Sequence, residues 1–303
     1  MGACSLGIRG MSGKPLFLMT DPRHYGVFYE INPWMQPQTW GHDAQGLRAA
    51  AASSSAGLRL AIERTGGAVE LLPPVEGVPD LVFPANAAVV LNGKVLVARF
   101  QHPERQREEP VFRAAFQALK ARGMVNDVIE LPPGVLQEGA GDCIWDADRG
   151  FFWAGYGQRS TPDSLPAIES AFGEKVMGLE LATPRFYHLD TCFCPLSGGK
   201  LLYYPPAFTP QALAQIHVHV AAADRIEASA EEAQAFCVNA VNIGRQIVMA
   251  KAPDSLHRKL TALGYQVHEV DLAPFILSGG GAYCMTLRLD RTSRAQATMR
   301  AAE

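Results

Sequence analysis

A strand pair, a helix and a further strand recur along this chain at a loose interval of about fifty residues. That rhythm constrains the fold more than any other feature. Strands alternating with helices bury both only in a layered α/β arrangement. Apolar runs at 16–19, 81–83, 87–91 and 95–98 read as strands, with Asn92-Gly93 as a hairpin turn. Further strands are expected at 128–131, 143–145, 151–154, 185–189, 201–204, 246–250, 267–270 and 283–289. Helices are expected at 43–65, 104–122, 163–172, 210–222, 230–236 and 255–263, the second marked by Phe112, Phe116 and Leu119 at helical spacing. No residue-level repeat and no polar linker accompany the rhythm. The expectation is one α/β domain over residues 16–291, with flexible ends at 1–15 and 292–303.

Composition narrows the function. The 303 residues are 48% apolar, enough for a sizeable core. A formal net charge of −3 argues against nucleic acid or an anionic membrane as partner. No run approaches a membrane-spanning length, and no secretory signal is visible. The six cysteines follow no framework spacing, which suits reduced thiols in the cytoplasm. Neither Cys192-x-Cys194 nor His217-x-His219 has the spacing of a zinc site, so no metal is expected. There is no phosphate-binding or dinucleotide fingerprint, so no cofactor is expected either. Oligomeric state is not legible.

Six segments carry candidate chemistry. Gly279-Gly280-Gly281-Ala282-Tyr283-Cys284 sets a thiol after a turn that lets the backbone approach a ligand. A cysteine with a distant histidine is the pattern of thiol-nucleophile enzymes. A buried structural cysteine is the alternative. In Phe186-Tyr187-His188-Leu189-Asp190-Thr191, a strand would project His188 and Asp190 to one side, as acid–base group and cation holder. Glu138-Gly139-Ala140-Gly141-Asp142 puts two acids around small residues, either a polar turn or a place where acids meet a cation. Asn86, between apolar neighbours, is a turn former or a buried amide offering both a donor and an acceptor. Arg105, unfavourable near a helix start, is either solvated or reserved for a substrate carboxylate. The stretch Tyr29-Glu30-Ile31-Asn32-Pro33-Trp34-Met35 either folds over a site or simply packs.

Together these segments resemble the guanidino-group-modifying (pentein) superfamily, from about Leu16 to Leu289. The ordered set Asn86, Glu138-Gly139-x-Gly141-Asp142, His188-x-Asp190 and Gly279-Gly280-Gly281-x-x-Cys284 carries the resemblance. It implies a five-bladed α/β propeller of ββαβ units with the site on the central axis. It also implies Cys284 as nucleophile, His188 as general acid and base, and Glu138 and Asp190 as the carboxylates gripping a guanidinium. Asp142 belongs to the same motif, and Arg105 falls where a substrate α-carboxylate is held. Asn86, where arginine deiminases carry an acid, together with Asn32-Pro33-Trp34, looks most like the arginine dihydrolases. The implied partner is a small guanidino compound. The implied reaction is arginine to ornithine. A deiminase or dimethylarginine hydrolase stopping at citrulline, an amidinotransferase and a silent guanidino binder are the alternatives.

Overall fold

The computed structural model describes residues 13–294, 296 and 298. The chain begins with β1 (Leu16–Thr20), helix α1 (Ala44–Arg64) and β2 (Ala68–Leu72). Four units of two antiparallel strands, a helix and a strand follow. They are β3 (Ala88–Leu91), β4 (Lys94–Val97), α2 (Glu108–Ala121) and β5 (Asp127–Ile129); then β6 (Cys143–Asp146), β7 (Phe151–Tyr156), α3 (Ser164–Phe172) and β8 (Val176–Glu180). Next come β9 (Phe193–Leu196), β10 (Lys200–Tyr203), α4 (Pro210–His219) and β11 (Arg225–Glu227); then β12 (Val241–Ile243), β13 (Gln246–Ala250), α5 (Asp254–Ala262) and β14 (Gln266–Val270). Finally β15 (Leu287–Arg288) returns to pair antiparallel with β1 and completes the first blade. Five three-stranded sheets result, a five-bladed α/β propeller of ββαβ units.

Local chemistry explains the units. The Asn92-Gly93 turn between β3 and β4 needs positive φ at both residues, here 55° and 75°. Helix α2 buries Phe112, Phe116 and Leu119 on one face, and its two phenyl rings stack 6.4 Å apart. Helix α3 ends at Gly173 in the left-handed conformation. The middle strands β4, β7, β10 and β13 are almost wholly buried and apolar, as expected of strands covered on both faces. Among the described residues no helix is long and apolar enough to cross a membrane.

Several expectations change. The segment at 81–83 is not a strand: Pro79–Val82 and Pro84–Ala87 form successive 3₁₀ turns. The segment at 185–189 is likewise replaced by turns at Pro184–Phe186 and Leu189–Thr191. In each case a proline fixes φ and removes a ladder donor. The expected strand at 283–289 shrinks to β15, and the helix expected at 104–122 breaks at Arg107 into a short turn, Pro103–Gln106, and α2. Strands β2, β8, β9, β11 and β12 were not anticipated. Ser293, placed above in a flexible tail, is buried and donates from its amide to Asn92 Oδ1 at 2.8 Å. Of the expected flexible ends, residues 1–12, 295, 297 and 299–303 lie outside the described residues.

The first strand of each blade is preceded by a short irregular segment. These lie at 83–87, 138–142, 188–192, 236–240 and 278–285, and carry most of the singled-out residues. They pack tightly: a Cβ on Gly139, whose φ is +66°, would lie 2.5 Å from the Ala85 carbonyl oxygen. Replacing Phe116 with alanine should cost about 3–5 kcal/mol by opening the α2 core. Urea unfolding checks this through a lower midpoint at unchanged slope.

Candidate active site

Cys284 is 2% exposed and ends the glycine turn. Gly280 passes under a ring, since a Cβ there would lie 2.1 Å from Phe83. The thiol donates to Asp190 Oδ2 at 3.0 Å and accepts from Asn239 Nδ2 at 3.0 Å. Asn239 fixes this arrangement. Its Oδ1 accepts from the Tyr283 and Cys284 amides, and its Nδ2 also donates to the Asp190 carbonyl. Burial first, and the Asp190 charge second, push the thiol well above its ordinary pKa. Burial also pushes Asp190 up to about 7, against the hydrogen bonds it receives from Cys284 and Asn239. Asp190 Oδ1 is buried without a hydrogen-bond partner among the described residues. Sulfur and carboxyl thus form a pair that lacks a positive charge.

His188 is fully buried. Its Nε2 lies 2.7 Å from Glu138 Oε2 and its Nδ1 lies 3.4 Å from Asn86 Nδ2. Arg105 Nη1 donates to Asn86 Oδ1 at 2.8 Å, which fixes the orientation of that amide. An amide nitrogen only donates, so Nδ1 of His188 accepts and the Nε2 hydrogen goes to Glu138. Glu138 also accepts from Arg159 Nη1 at 3.1 Å and from the Gln101 amide at 3.0 Å. Burial alone would raise its pKa, but Arg159 and then His188 overturn this and hold it well below the usual carboxylate range.

The strand-based expectation that His188 and Asp190 point together is corrected. The Leu189–Thr191 turn sends His188 to Glu138 and Asp190 to Cys284. Arg105 is not solvated: it is buried, and Glu108 grips it through two bonds of 2.7 Å. Asn32 accepts from the Trp34 amide and donates to the Ser278 carbonyl, so the early aromatic stretch closes over the glycine turn. Asp142 braces the site from behind, accepting from Ser160 Oγ at 2.6 Å and from the Leu189 amide at 3.0 Å, and burial pushes it up to about 6.

Three further residues belong here. Asp80 accepts from Tyr29 at 2.8 Å, and its other oxygen is buried and unpartnered among the described residues. Arg159 lies over the Tyr187 ring and donates to the Ile31 carbonyl at 2.8 Å. Asn239 is the third. Asp80 and Arg159 carry no local pattern. Asn239 does: like Asn86, it stands two residues before the first strand of a blade. Asn32, Asp80, Asn86, Arg105, Arg159 and Cys284 line a nearly closed cavity of about 10 Å³. No group of three or more metal-ligating side chains occurs among the described residues. His217 contacts Tyr203 while His219 packs on Phe151 and Trp153.

A raised carboxyl stabilises the fold most below the pKa it has when unfolded, and that contribution is lost as pH rises through the folded value. Asp142 and Asp190, at about 6 and about 7 against an ordinary value of 3.8, therefore make stability fall between about pH 4 and about pH 7. Asp190→Asn should flatten that fall, by up to about 1.4 kcal/mol per pH unit. Urea titrations across this range check it; an unchanged slope would show that Asp190 does not hold the proton.

The profile of the family described as N,N dimethylarginine dimethylhydrolase, eukaryotic, matches residues 31–291. A bifunctional arginine dihydrolase/ornithine cyclodeaminase of Nostoc sp. is 43% identical over 94% of this chain and 39% of its own length. The chain thus spans about two fifths of that relative. An N(G),N(G)-dimethylarginine dimethylaminohydrolase of Mycobacterium tuberculosis is 33% identical over 90% of this chain and 85% of its own. A crystal structure of the N-terminal domain of an ArgZ variant, covalently bound to a reaction intermediate, superposes with a TM-score of 0.85 at 41% identity, covering 92% of this chain and 99% of that one. The chain belongs to the dimethylarginine dimethylhydrolase family, within the pentein superfamily of guanidino-modifying enzymes.

Proposed function

We propose that this protein hydrolyses the guanidino C–N bonds of free arginine through a covalent Cys284 adduct, and carries the product on to ornithine. The observation that carries the reading is the charge pattern of one cavity: two arginines, one acid and a thiol whose hydrogen-bond partner, Asp190, lies behind it. That pattern complements an amino acid bearing a cationic end. Arg105 and Arg159 suit the α-carboxylate. Asp80, with its unpartnered oxygen, suits the α-ammonium. Asp190 and Glu138 suit the guanidinium. The cavity is sealed by Ile31 and Asn32, so access requires the stretch around Tyr29 to swing away from Asp80 and Arg159.

The bound cation supplies the charge that the sulfur lacks and lowers its pKa. The thiol proton passes to His188, whose Nδ1 is unprotonated, and the resulting thiolate attacks the guanidinium carbon. His188 protonates the departing nitrogen, ammonia leaves, and a thiouronium adduct remains. His188 then takes a proton from water, which attacks the adduct and expels the sulfur, giving citrulline. A second water and a second round convert citrulline to ornithine, carbon dioxide and another ammonia. Asn86 governs this second round. A carboxylate there repels a neutral ureido oxygen, whereas the amide nitrogen donates to it. The buried, unpaired thiols Cys143, Cys192, Cys194, Cys237 and Cys284 suit work in the reducing cytoplasm.

The family match and the mycobacterial relative favour a second reading, hydrolysis of dimethylarginine stopping at citrulline. Release of dimethylamine distinguishes it, and transfer to an added amine would mark an amidinotransferase. Cys284→Ser should lose all turnover, at least a thousandfold, in any version; retained ammonia release would refute the thiol mechanism. Asn86→Asp should keep the first hydrolysis and accumulate citrulline from arginine. Wild-type enzyme that also stops at citrulline would remove the two-round reading.

A further inference from the structure

Glu108 touches no part of the cavity, yet it is 1% exposed and commits both of its oxygens to Arg105. The planar guanidinium is thereby held in one plane. Its free edge then meets Asn86 Oδ1 at 2.8 Å through Nη1. Arginine has no acceptor, so the Asn86 oxygen must face Arg105 and the nitrogen must face away. That nitrogen looks toward His188 Nδ1 and the Glu138 carbonyl, both at a loose 3.4 Å. Neither contact is short enough to hold the amide by itself. We propose that Glu108 is a positioning residue for the second hydrolysis: through Arg105 it keeps the Asn86 amide with its nitrogen turned toward the reacting centre.

The proposal rests on the arginine-to-ornithine reading above. It separates the two rounds on hydrogen-bond inventory. A guanidinium carries only donors, so a flipped Asn86 amide, which presents its oxygen, costs arginine nothing. A ureido group presents an oxygen, and a flipped amide would set a carbonyl against it. Loosening the Glu108 grip therefore penalises citrulline more than arginine. It also loosens Arg105 on the α-carboxylate, but that loss is shared by both substrates and appears in KM.

The test assays Glu108→Gln and Glu108→Asp with saturating arginine and, separately, saturating citrulline, quantifying ammonia, citrulline and ornithine. Glu108→Gln should lower kcat for citrulline about tenfold more than kcat for arginine, the size of one lost hydrogen bond. Glu108→Asp, which keeps a carboxylate, should restore most of the ratio. Equal losses on both substrates, or an unchanged ratio, would overturn the proposal. If thermal melts show Glu108→Gln to be unfolded, Arg105→Lys takes its place. A lysine can pair with Glu108 but cannot hold Asn86 in the same plane, so the same shift in ratio is expected, and its absence would likewise overturn the proposal. Wild-type enzyme that forms no ornithine from either substrate would instead remove the two-round reading, a distinct result.

Discussion

A carboxylate taken fully out of water must be met by cations and donors, and Glu138, with no exposed surface, imposes that demand on the whole axis. It draws Arg159 inward, orients the imidazole of His188 and takes an amide hydrogen from Gln101. Arg159 in turn holds Ile31, so the covering stretch depends on the same carboxylate. Removing one member would strand the others at a cost of about 3–5 kcal/mol. The bonds around Glu138 therefore join blade packing, imidazole orientation and closure of the cavity.

The axis is divided electrostatically. On the Glu138 side, burial is the largest single effect, but Arg159 and His188 together outweigh it and hold the carboxyl well below its ordinary pKa. On the Cys284 side, the hydrogen bonds from Asn239 offset burial only in part, so the thiol and Asp190 both lie above their ordinary pKa values. The two sides lie within one fold and differ mainly in whether a guanidinium of the protein bonds the acid directly. A guanidinium of the substrate would give the second side what the first already has. A raised thiol of this kind is one that a nearby cation would stabilise as thiolate.

Much of this was legible in the sequence, for physical reasons. Buried middle strands such as Gln246–Ala250 are continuous apolar runs and read clearly. The outer strands, such as Ala68–Leu72 and Val176–Glu180, are half-exposed and mixed in polarity, so no period marks them. Proline decided the errors at 81–83 and 185–189, where apolar residues serve in 3₁₀ turns. The expected residues Cys284, Asp190, His188, Glu138, Asn86, Arg105 and Asn32 gather around one axis, with Asp142 behind them. Asp80 and Arg159 escaped because their partners, Tyr29 and Glu138, lie 51 and 21 residues away in the chain. Asn239 repeats the position of Asn86 in another blade, a correspondence visible only once the blades are aligned.

The first blade is completed by β15, and Cys284 sits just before that strand. The segment that closes the ring is therefore the one that carries the sulfur. During synthesis on the ribosome, the other four blades, with their buried acids and imidazole, are translated before this segment emerges. A nascent polypeptide can begin to fold without yet owning a warhead. The sulfur and the strand that closes the ring thus emerge together, after every other blade.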